Sequence, residues 1–566
     1  MRRRIWIVTG GLILAGLGIV ASGGFDNAGA MPPYPGIETR SPSAAAAVAR
    51  YEQSRRTFAE RGIDQPGGGL AAGAQLAGDF KMLAICVRFN DHASSVPAAD
   101  FDELVFAQQA GSVWDFYREI SYNTFSIIAV DLPSALGWRT APSNYSYYVN
   151  NNYGFGSYPQ NAQKLVEDIV DQIDPLVDFS DYDNDSNGYV DGLVVVHSGT
   201  GAELSGSTSD IWSHKWGIIP RQKDGVFISS YTIHPELWSA AGDITIGVYA
   251  HELGHVFGLP DLYDLDNSSR GIGRWSLMAN GSWNGSFGSS PAHPDAWCRN
   301  KLGFCTPTVV NDQMTAANVP AIEDTPLVYR LWPDGGGTSE YFLLENRQKT
   351  GYDAFLPAAG ILVWHIDETQ TSNSNEWYPG HTSSGHYWVA LEQADGLWNL
   401  EQNTSYGDTG DPFPGSSGKT TFSAASTPSS DEYSGTATYV TVTNISASGP
   451  TMACDFQVGL GTGIVDDDKE ALAAVPSAPL ISYPNPFNPS TTVNYSISQS
   501  GAIELDIYDI LGRHVTRLAE GQRDAGAHVV TWNGTDDNGA PVASGVYFAR
   551  LNSETQSTVH KMVLVR

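Results

Sequence analysis

The run His-Glu-Leu-Gly-His-Val-Phe-Gly-Leu-Pro-Asp at residues 251–261 decides how the central part of this chain folds. On a helix, His251 and His255 are about one turn apart on the same face, so both imidazoles can bind one cation. The carboxylate of Glu252 is then close enough to reach a water on that cation without binding the cation itself. A zinc ion lowers the pKa of such a water towards ~7, and a nearby carboxylate can take its proton. The pattern therefore predicts hydrolysis of peptide bonds.

The flanking residues indicate where this helix begins and ends. Residues 241–250 are largely apolar and contain no proline, so they can form the first part of a buried helix, with Asp243 as its N-cap. Gly258 allows the chain to leave the helix sharply, and Pro260 prevents the helix from resuming. We expect this turn to bring Asp261 back to the metal as a third ligand, through oxygen.

Two aspartates compete for the place of the third ligand. A glutamate on a second helix is a poor candidate, because the first glutamate after Glu252 is Glu323. The position of Asp261 resembles that of the third ligand in metzincins, and Asp264 is the alternative, with a role in orienting a ligand as its other interpretation. Met278, in the run at 274–281, matches the methionine turn that lies beneath the metal in that clan, although a methionine there can also be ordinary core.

Several separate motifs occur in an order that resembles one family. They are Asp-Phe-Tyr-Arg-Glu-Ile-Ser-Tyr at 115–122, His-Ser-Gly at 197–199, Ile-Trp-Ser-His-Lys-Trp at 211–216, the run from 251 to 264, and Glu-Tyr-Phe-Leu-Leu-Glu-Asn-Arg-Gln at 340–348. Together they resemble the secreted immune inhibitor A family of zinc metalloproteases from about residue 80 to about residue 456. The resemblance implies a zinc endopeptidase that uses His251, His255 and an acidic third ligand, with Glu252 as general base. The chain departs from the pattern at Leu262, where well-known members carry an acidic residue.

Residues 181–191 have the alternating oxygen donors of a calcium-binding loop, and Gly188 allows the sharp turn that such a loop needs. Val194 stands where the last glutamate of a complete EF-hand loop would be, so another segment has to complete the coordination shell. The alternative is a solvated acidic turn. We expect a structural calcium ion that stabilises the strand leading to the active site. The donors are Asp183, Asp185, Asn187, the backbone carbonyl of Tyr189, and Asp191.

The N-terminus resembles a signal peptide followed by a propeptide. Basic residues 2–4 precede an apolar run at 5–20 and then small residues, so residues 1–30 are predicted to be a signal peptide, with an uncleaved anchor as the alternative. Cleavage is compatible with Ser22, Gly23 or the small residues at 28–30. Residues 31–78 have little core-forming sequence and end in a glycine-rich stretch, which favours a propeptide over a plain leader.

Composition agrees with a secreted or cell-surface protein. The chain has 566 residues and a formal net charge of −31, which excludes nucleic acid as a favoured partner because phosphate is repelled. Four cysteines are too few for a disulfide scaffold, although Cys298 and Cys305 are close enough in sequence to pair.

Residues 79–308 are predicted to form an α/β zincin-type catalytic domain. The strand-like runs at 81–89 and 192–197 alternate with helix-like segments at 102–120 and 160–173 ahead of the metal-site helix.

The remainder of the chain is predicted to be β-rich. Short alternating runs at 309–458 indicate β structure, in which His365 beside Asp367 is better explained as a packed strand histidine than as a second metal site. Residues 459–479 read as a linker. Residues 480–566 resemble the Ig-like module of flagellar hook-capping proteins and of C-terminal domains in type IX secretion. This resemblance implies attachment to the cell surface or to secretion machinery, with a passive spacing module as the alternative.

The sequence therefore predicts a secreted, zinc-dependent endopeptidase that acts on protein or peptide substrates, is made as a zymogen and is stabilised by calcium. Two other classes of function stay open. One is a non-catalytic adhesin that keeps an inherited metal site, and the other is a zinc hydrolase of non-peptide amides.

Overall fold

The computed structural model describes residues 29–35, 76–310, 313–332, 338–381, 385–459, 480–483, 487–497, 500–510, 512–524, 526–537, 539–553 and 557–565. Nearly all of the predicted signal peptide, residues 36–75 of the predicted propeptide and residues 460–479 of the predicted linker lie outside this part of the chain. The protein divides into two compact units. The first comprises Met1–Asp261, Ser276–Pro291 and Lys301–Phe304, and the second comprises Leu262–Trp275, Ala292–Asn300 and Cys305–Arg566.

The first unit contains a mixed sheet in which β3, β5, β6 and β8 are parallel and β7 is antiparallel, in the order β1-β7-β8-β6-β3-β5. Strands β2 and β4 form a separate parallel pair. The apolar run of β3 and the apolar first half of β6 reflect burial on both faces of the sheet. The strands are β1 (Gly29–Ala30), β2 (Gly78–Lys81), β3 (Leu83–Arg88), β4 (Phe125–Ile128), β5 (Arg139–Thr140), β6 (Leu193–Thr200), β7 (His214–Lys223) and β8 (Val226–Leu237).

Most α-helices of the described residues lie in the first unit, which also contains this sheet. The α-helices are α1 (Ala99–Phe101), α2 (Val113–Ile120), α3 (Pro133–Leu136), α4 (Tyr145–Val149), α5 (Ala162–Ile173), α6 (Ala202–Ser205), α7 (Ile246–Val256) and α8 (Ala296–Lys301). A π-helical turn covers Asp102–Phe106, and short 3-10 turns cover Asp174–Leu176, Phe179–Tyr182, Gly273–Trp275, Asn280–Trp283 and Gly351–Phe355. The helix α7, which carries His251 and His255, is buried along its whole length.

Two predicted elements of the first unit are each divided in the structure. The predicted strand at 81–89 is split between the end of β2 and β3. The predicted helix at 102–120 was wrong as one element, because the chain is extended at Ala107 and a new helix begins only after Ser112. The hydroxyl of Ser112 accepts a hydrogen bond from the Asp115 N–H at 3.0 Å, which caps α2.

The second unit contains a five-stranded sheet, in the order β14-β13-β12-β11-β9, and a three-stranded sheet, in the order β10-β16-β15. Apolar residues from both sheets, among them Phe342, Val363 and Phe456, share one core. The strands are β9 (Thr308–Val310), β10 (Met314–Pro320), β11 (Tyr329–Leu331), β12 (Glu340–Arg347), β13 (Gly360–Asp367), β14 (Val389–Leu391), β15 (Thr441–Thr443) and β16 (Thr451–Gln457).

The C-terminal part of the second unit has one three-stranded sheet, β17-β18-β21, and one four-stranded sheet, β20-β19-β22-β23. Trp532 is buried in the core of this part. Strand β20 was not expected, because its largely exposed residues do not alternate between apolar and polar. The strands are β17 (Ile481–Tyr483), β18 (Thr491–Ile497), β19 (Gly501–Asp509), β20 (His514–Arg523), β21 (Gly526–Trp532), β22 (Gly545–Ser553) and β23 (Ser557–Leu564).

All four cysteines are buried and none forms a disulfide bond, so Cys298 and Cys305, which are close enough in sequence to pair, do not. Within the described ranges, the structure contains no helix that is both long and apolar enough to cross a membrane.

His365 on β13 is a packed strand histidine. Its ring nitrogens lie 2.9 Å from Glu340 and 2.8 Å from Glu392, and its ring stacks on Tyr433 at a centroid distance of 4.2 Å. Burial alone would lower the pKa of His365, but hydrogen bonds and charge from the two carboxylates raise it to about 9. The imidazole is therefore a partner of two carboxylates.

Candidate active site and metal centre

The helix that carries the histidine motif begins at Ile246. Asp243 is not its N-cap, contrary to the prediction, because its carboxylate closes the preceding turn. That carboxylate accepts hydrogen bonds from the backbone N–H groups of Trp238, Ser239 and Ala240, at 2.7, 2.8 and 2.8 Å. Because three backbone N–H groups of this turn lie within reach, the Asp243 carboxylate accepts their hydrogen bonds and does not cap the first turn of the helix.

The end of α7 is turned by Gly258. This residue has a φ of +91°, a conformation that a residue with a Cβ rarely adopts. The N–H of Gly258 donates to the carbonyl of His255 at 3.1 Å, and the N–H of Leu259 donates to the carbonyl of Gly254 at 3.0 Å. These bonds satisfy the last carbonyls of the helix and send the chain back towards the histidine face.

The turn brings Asp261 to the two histidines. The Nε2 atoms of His251 and His255 are 3.2 Å apart, and the Oδ1 atom of Asp261 lies 3.2 Å from the first and 3.1 Å from the second. Ligands about 2.0–2.1 Å from a tetrahedral zinc ion lie roughly 3.3 Å from one another. The triangle of two imidazole nitrogens and one carboxylate oxygen therefore has the size and the donor chemistry of three zinc ligands.

Backbone carbonyls orient both imidazoles. The Nδ1 of His251 lies 2.9 Å from the carbonyl of Leu277, and the Nδ1 of His255 lies 2.8 Å from that of Leu259. An Nδ1–H that donates to a carbonyl leaves the Nε2 lone pair directed at the triangle. Burial lowers the pKa of His255 more than Asp261 raises it. Burial alone would raise the pKa of Asp261, but the histidines lower it.

Glu252 lies beside the triangle and is fully buried. Neither carboxylate oxygen has a hydrogen-bond partner among the described residues. Burial raises the pKa of Glu252 well above its usual value, and the charges of Asp261 and Glu203 act in the same direction. The nearby backbone N–H groups of Met31 and Lys215 lower this pKa. A buried carboxylate with free oxygens is able to accept a proton from a water or to donate one to a substrate.

Met278 and Asp264 occupy different surroundings. Met278 is buried, and its sulfur would lie only 2.5 Å from a Cβ placed on Gly254, so it packs closely against the middle of α7. Asp264 does not join the triangle of donors. Its Oδ2 instead accepts hydrogen bonds from the Ser268 hydroxyl at 2.9 Å and from the N–H and hydroxyl of Ser269 at 2.6 and 2.8 Å.

The structure also brings together the carboxylates of the predicted calcium loop. Oxygens of Asp183, Asp185 and Asp191 all lie within 4.8 Å of one another. Asp191 is 1% exposed, and its Oδ1 has no hydrogen-bond partner among the described residues. The side-chain oxygen of Asn187 accepts instead from the Tyr189 N–H at 2.9 Å. Clustered carboxylates with a buried free oxygen fit a hard cation such as Ca²⁺.

One part of the site was missed by sequence reasoning. Gly29 and Ala30 pair with β7, and the indole N–H groups of Trp212 and Trp283 donate to the carbonyls of Met31 and Pro32. Trp212 falls within the motif at 211–216, but no spacing pattern connects it with residues so far away in the chain.

Comparison with known proteins yields two family matches. Residues 100–304 match the immune inhibitor A peptidase M6 catalytic domain, and residues 489–557 match the FlgD Ig-like domain.

Two curated relatives show similarity over part of the chain. The pre-pro-metalloprotease PrtV of Vibrio cholerae serotype O1 is 31% identical over 225 residues, which are 34% of this chain and 23% of PrtV. Immune inhibitor A of Bacillus thuringiensis subsp. alesti is 30% identical over 217 residues, which are 31% of this chain and 29% of that protein. The chain thus spans less than a third of the length of either relative. The crystal structure of FlgD from P. aeruginosa is 21% identical and covers 13% of this chain and 58% of FlgD, with a TM-score of 0.11.

Proposed function

Because residues 100–304 form a peptidase M6 catalytic domain, we propose that this chain is a zinc-dependent endopeptidase that hydrolyses protein substrates. The observation that carries the proposal is the triangle of His251, His255 and Asp261, with donors 3.1–3.2 Å apart, beside the buried carboxylate of Glu252. Two neutral imidazoles and one carboxylate form a donor set that zinc hydrolases use, and they leave a fourth position for water or substrate.

The protein residues contribute binding and proton transfer. Zinc, when bound, polarises the scissile carbonyl and lowers the pKa of a water, so that attack occurs at neutral pH. The carbonyls of Leu277 and Leu259 hold the imidazoles in the orientation that binds the metal. An oxygen of Glu252 takes the proton of the attacking water and then delivers it to the leaving amine nitrogen.

A first experiment tests which of two aspartates, Asp261 or Asp264, is the third metal ligand. We expect Asp261→Ala to lower zinc affinity by at least about 100-fold, because it removes one of three donors. Asp264→Ala is the matched control and keeps its zinc, since that carboxylate already binds two serines. Zinc content is measured after dialysis against a competing chelator. Zinc loss from the Asp264→Ala protein alone would assign the third ligand to Asp264.

The activity itself is tested on casein with the processed protein. A chelator stops hydrolysis and added zinc restores it if the proposal is right. Hydrolysis of small amides without casein hydrolysis would place the chain among non-peptide hydrolases. Bound zinc without any hydrolysis would indicate a binding protein.

We also propose a structural calcium ion held by Asp183, Asp185 and Asp191, with Asn187 and the Tyr189 carbonyl completing the loop. The cluster of carboxylates and the free Oδ1 of Asp191 support this. The calcium ion would stabilise the segment that leads into β6 and has no part in the chemistry.

If calcium binds at this site, substitution of two nearby aspartates should change the calcium affinity to different extents. We expect Asp185→Asn to lower calcium affinity about tenfold or more, because it removes one charged ligand from the cluster. Asp181→Asn is the control, since that side chain is half exposed and outside the cluster. Isothermal titration with Ca²⁺ measures both affinities. Equal affinities in the two variants would contradict the assignment.

The proposal also includes export of the chain, its synthesis as an inactive precursor and its attachment through the C-terminal domain. The basic and then apolar N-terminus supports export to the cell surface or the medium, and the name of the relative PrtV denotes a precursor. The FlgD Ig-like domain supports attachment to the cell surface or to secretion machinery. Synthesis as a zymogen is supported by Met31, the first residue of the predicted propeptide, whose backbone lies near Glu252.

A further inference from the structure

Three aspartates of the second unit, Asp395, Asp408 and Asp411, form a cluster of carboxylates that the proposed function does not use. Each side chain offers one oxygen, and these three oxygens all lie within 4.8 Å of one another. Two oxygens bound to one calcium ion at about 2.3–2.6 Å can be separated by up to ~5 Å. The spacing of the cluster therefore fits a single ion of this size between the three side chains.

Backbone hydrogen bonds hold two of these aspartates side by side. The N–H of Ala394 donates to the carbonyl of Asp411 at 2.8 Å, and the N–H of Asp395 donates to the carbonyl of Gly410 at 3.1 Å. A Cβ on Gly410 would clash with Oδ2 of Asp395, so only glycine allows the backbone to approach this carboxylate so closely. Like charges held together in this way repel each other, and a cation between them offsets the repulsion.

Asp411 has a buried carboxylate oxygen that no donor satisfies. The residue is 1% exposed, and its Oδ1 has no hydrogen-bond partner among the described residues. Its Oδ2 accepts from the indole N–H of Trp275 and from the N–H of Asp408, both at 2.9 Å, so Oδ1 is the oxygen left for a cation. Burial raises the pKa of Asp411 to about 7, and the charges of Asp408 and Asp395 act in the same direction, although the two hydrogen bonds lower it. A bound cation would satisfy this oxygen and stabilise the charged carboxylate.

Lys419 does not take the place of such a cation. Its Nζ donates to the backbone carbonyl of Asp395 at 3.1 Å. The Asp395 carboxylate accepts through Oδ1 from the N–H of Leu397 at 3.0 Å. The Asp408 carboxylate accepts through Oδ2 from the side-chain amide of Asn399 at 2.9 Å. Because these donors to the carboxylates are neutral, the cluster keeps its negative charge, which favours a divalent cation.

We propose that Asp395, Asp408 and Asp411 bind a calcium ion in the second unit, with water and backbone carbonyls of the loop at 395–411 completing the coordination shell. Calcium accepts about six to eight oxygen donors in a flexible arrangement, whereas Mg²⁺ requires a near-ideal octahedron. The proposed calcium loop with Asp185 belongs to the first unit, so this is a second and separate site. Calcium binding here does not depend on the proposed endopeptidase activity.

The ion would hold a further segment of the second unit, residues 262–275, to this loop. The N–H of Arg274 donates to the carbonyl of Tyr406 at 2.8 Å, and the indole of Trp275 binds the Asp411 carboxylate directly. When the cation is removed, repulsion between the carboxylates should loosen the loop and these two contacts with it. The Arg274 amide therefore reports whether the site is occupied.

Calcium titration of the full chain tests the site. The protein carries Asp185→Asn, so that the loop in the first unit contributes less to the signal. We expect Asp411→Asn in this background to lower calcium affinity at least about tenfold, because it removes one charged ligand without changing the size of the side chain. Asp408→Asn should act in the same way and replaces it if that variant does not fold. Asp324→Asn is the matched control, since it removes the same charge from an exposed position of the second unit outside the cluster.

Hydrogen exchange gives a second readout in the otherwise unchanged protein. With Ca²⁺, the Arg274 amide should exchange about tenfold more slowly than with a chelator. Asp411→Asn should abolish this difference and Asp324→Asn should keep it. Equal calcium affinities of these two variants, tighter binding of Mg²⁺ than of Ca²⁺, or exchange at Arg274 that calcium does not change would each overturn the inference. None of these measurements requires casein hydrolysis, so their outcome is separate from that of the proposed endopeptidase.

Discussion

Glu252→Gln is expected to abolish casein hydrolysis by the processed protein while zinc content stays at the wild-type level. The amide has nearly the same size as the carboxylate but cannot take a proton from water at neutral pH. Loss of a general base costs roughly 10²–10⁴-fold in rate, and in the proposed mechanism the same residue also delivers the proton to the leaving amine. Glu252 is fully buried and its oxygens have no hydrogen-bond partner among the described residues, so its carboxylate is not engaged elsewhere.

The comparison requires zinc measurement in the same samples. Glu103→Gln is a matched control on the first unit, since this glutamate is exposed and outside the triangle of donors. His251→Ala is the opposite control, because it should lose zinc together with activity. Wild-type turnover by the Glu252→Gln protein at equal zinc would show that another group acts as the base.

Arg347→Ala is expected to destabilise the second unit by about 3–5 kcal/mol, because it leaves buried carboxylates without their cation. Arg347 is completely buried at the end of β12 and binds Asp353 through two hydrogen bonds, Nε to Oδ2 at 2.8 Å and Nη2 to Oδ1 at 2.7 Å. Its Nη1 also lies 3.2 Å from Glu345, which is buried as well. Although burial alone would raise the pKa of Asp353, the guanidinium holds it well below its usual value.

Denaturant unfolding followed by tryptophan fluorescence measures this loss. Lys349→Ala is the control within the same unit, because its side chain is exposed and its removal should change stability by no more than about 0.5 kcal/mol. A change below about 1 kcal/mol for Arg347→Ala would contradict this prediction, because the buried carboxylates would then not depend on the guanidinium.

Local sequence was sufficient for those parts of the site that are close together in the chain. The helical spacing of His251 and His255 and the turn at Gly258 depend on backbone preferences of neighbouring residues, and the structure brings Asp261 to the two histidines as that turn requires. The proposed calcium loop is similar, since its carboxylates are separated by only a few residues.

Local sequence patterns gave wrong predictions where several hydrogen-bond donors or several helix boundaries were possible. Asp243 has the residue type of an N-cap, but three backbone N–H groups of the preceding turn are nearer to its carboxylate. The segment at 102–120 has helical composition throughout, yet capping by Ser112 starts a separate helix within it. Such choices depend on small differences in hydrogen-bond energy that composition does not show.

The sequence by itself was sufficient to propose the metal-binding residues and the general base, and to predict an α/β region followed by β-rich regions. These follow from short-range spacing and from the periodicity of apolar residues. Only the tertiary structure decided that Met31 lies beside Glu252, that Trp212 and Trp283 bind the same segment, and that Arg347 neutralises Asp353. Each of these contacts joins residues through sheet pairing or core packing, and the free energy that selects such contacts comes from burial of the whole unit, which no local pattern records.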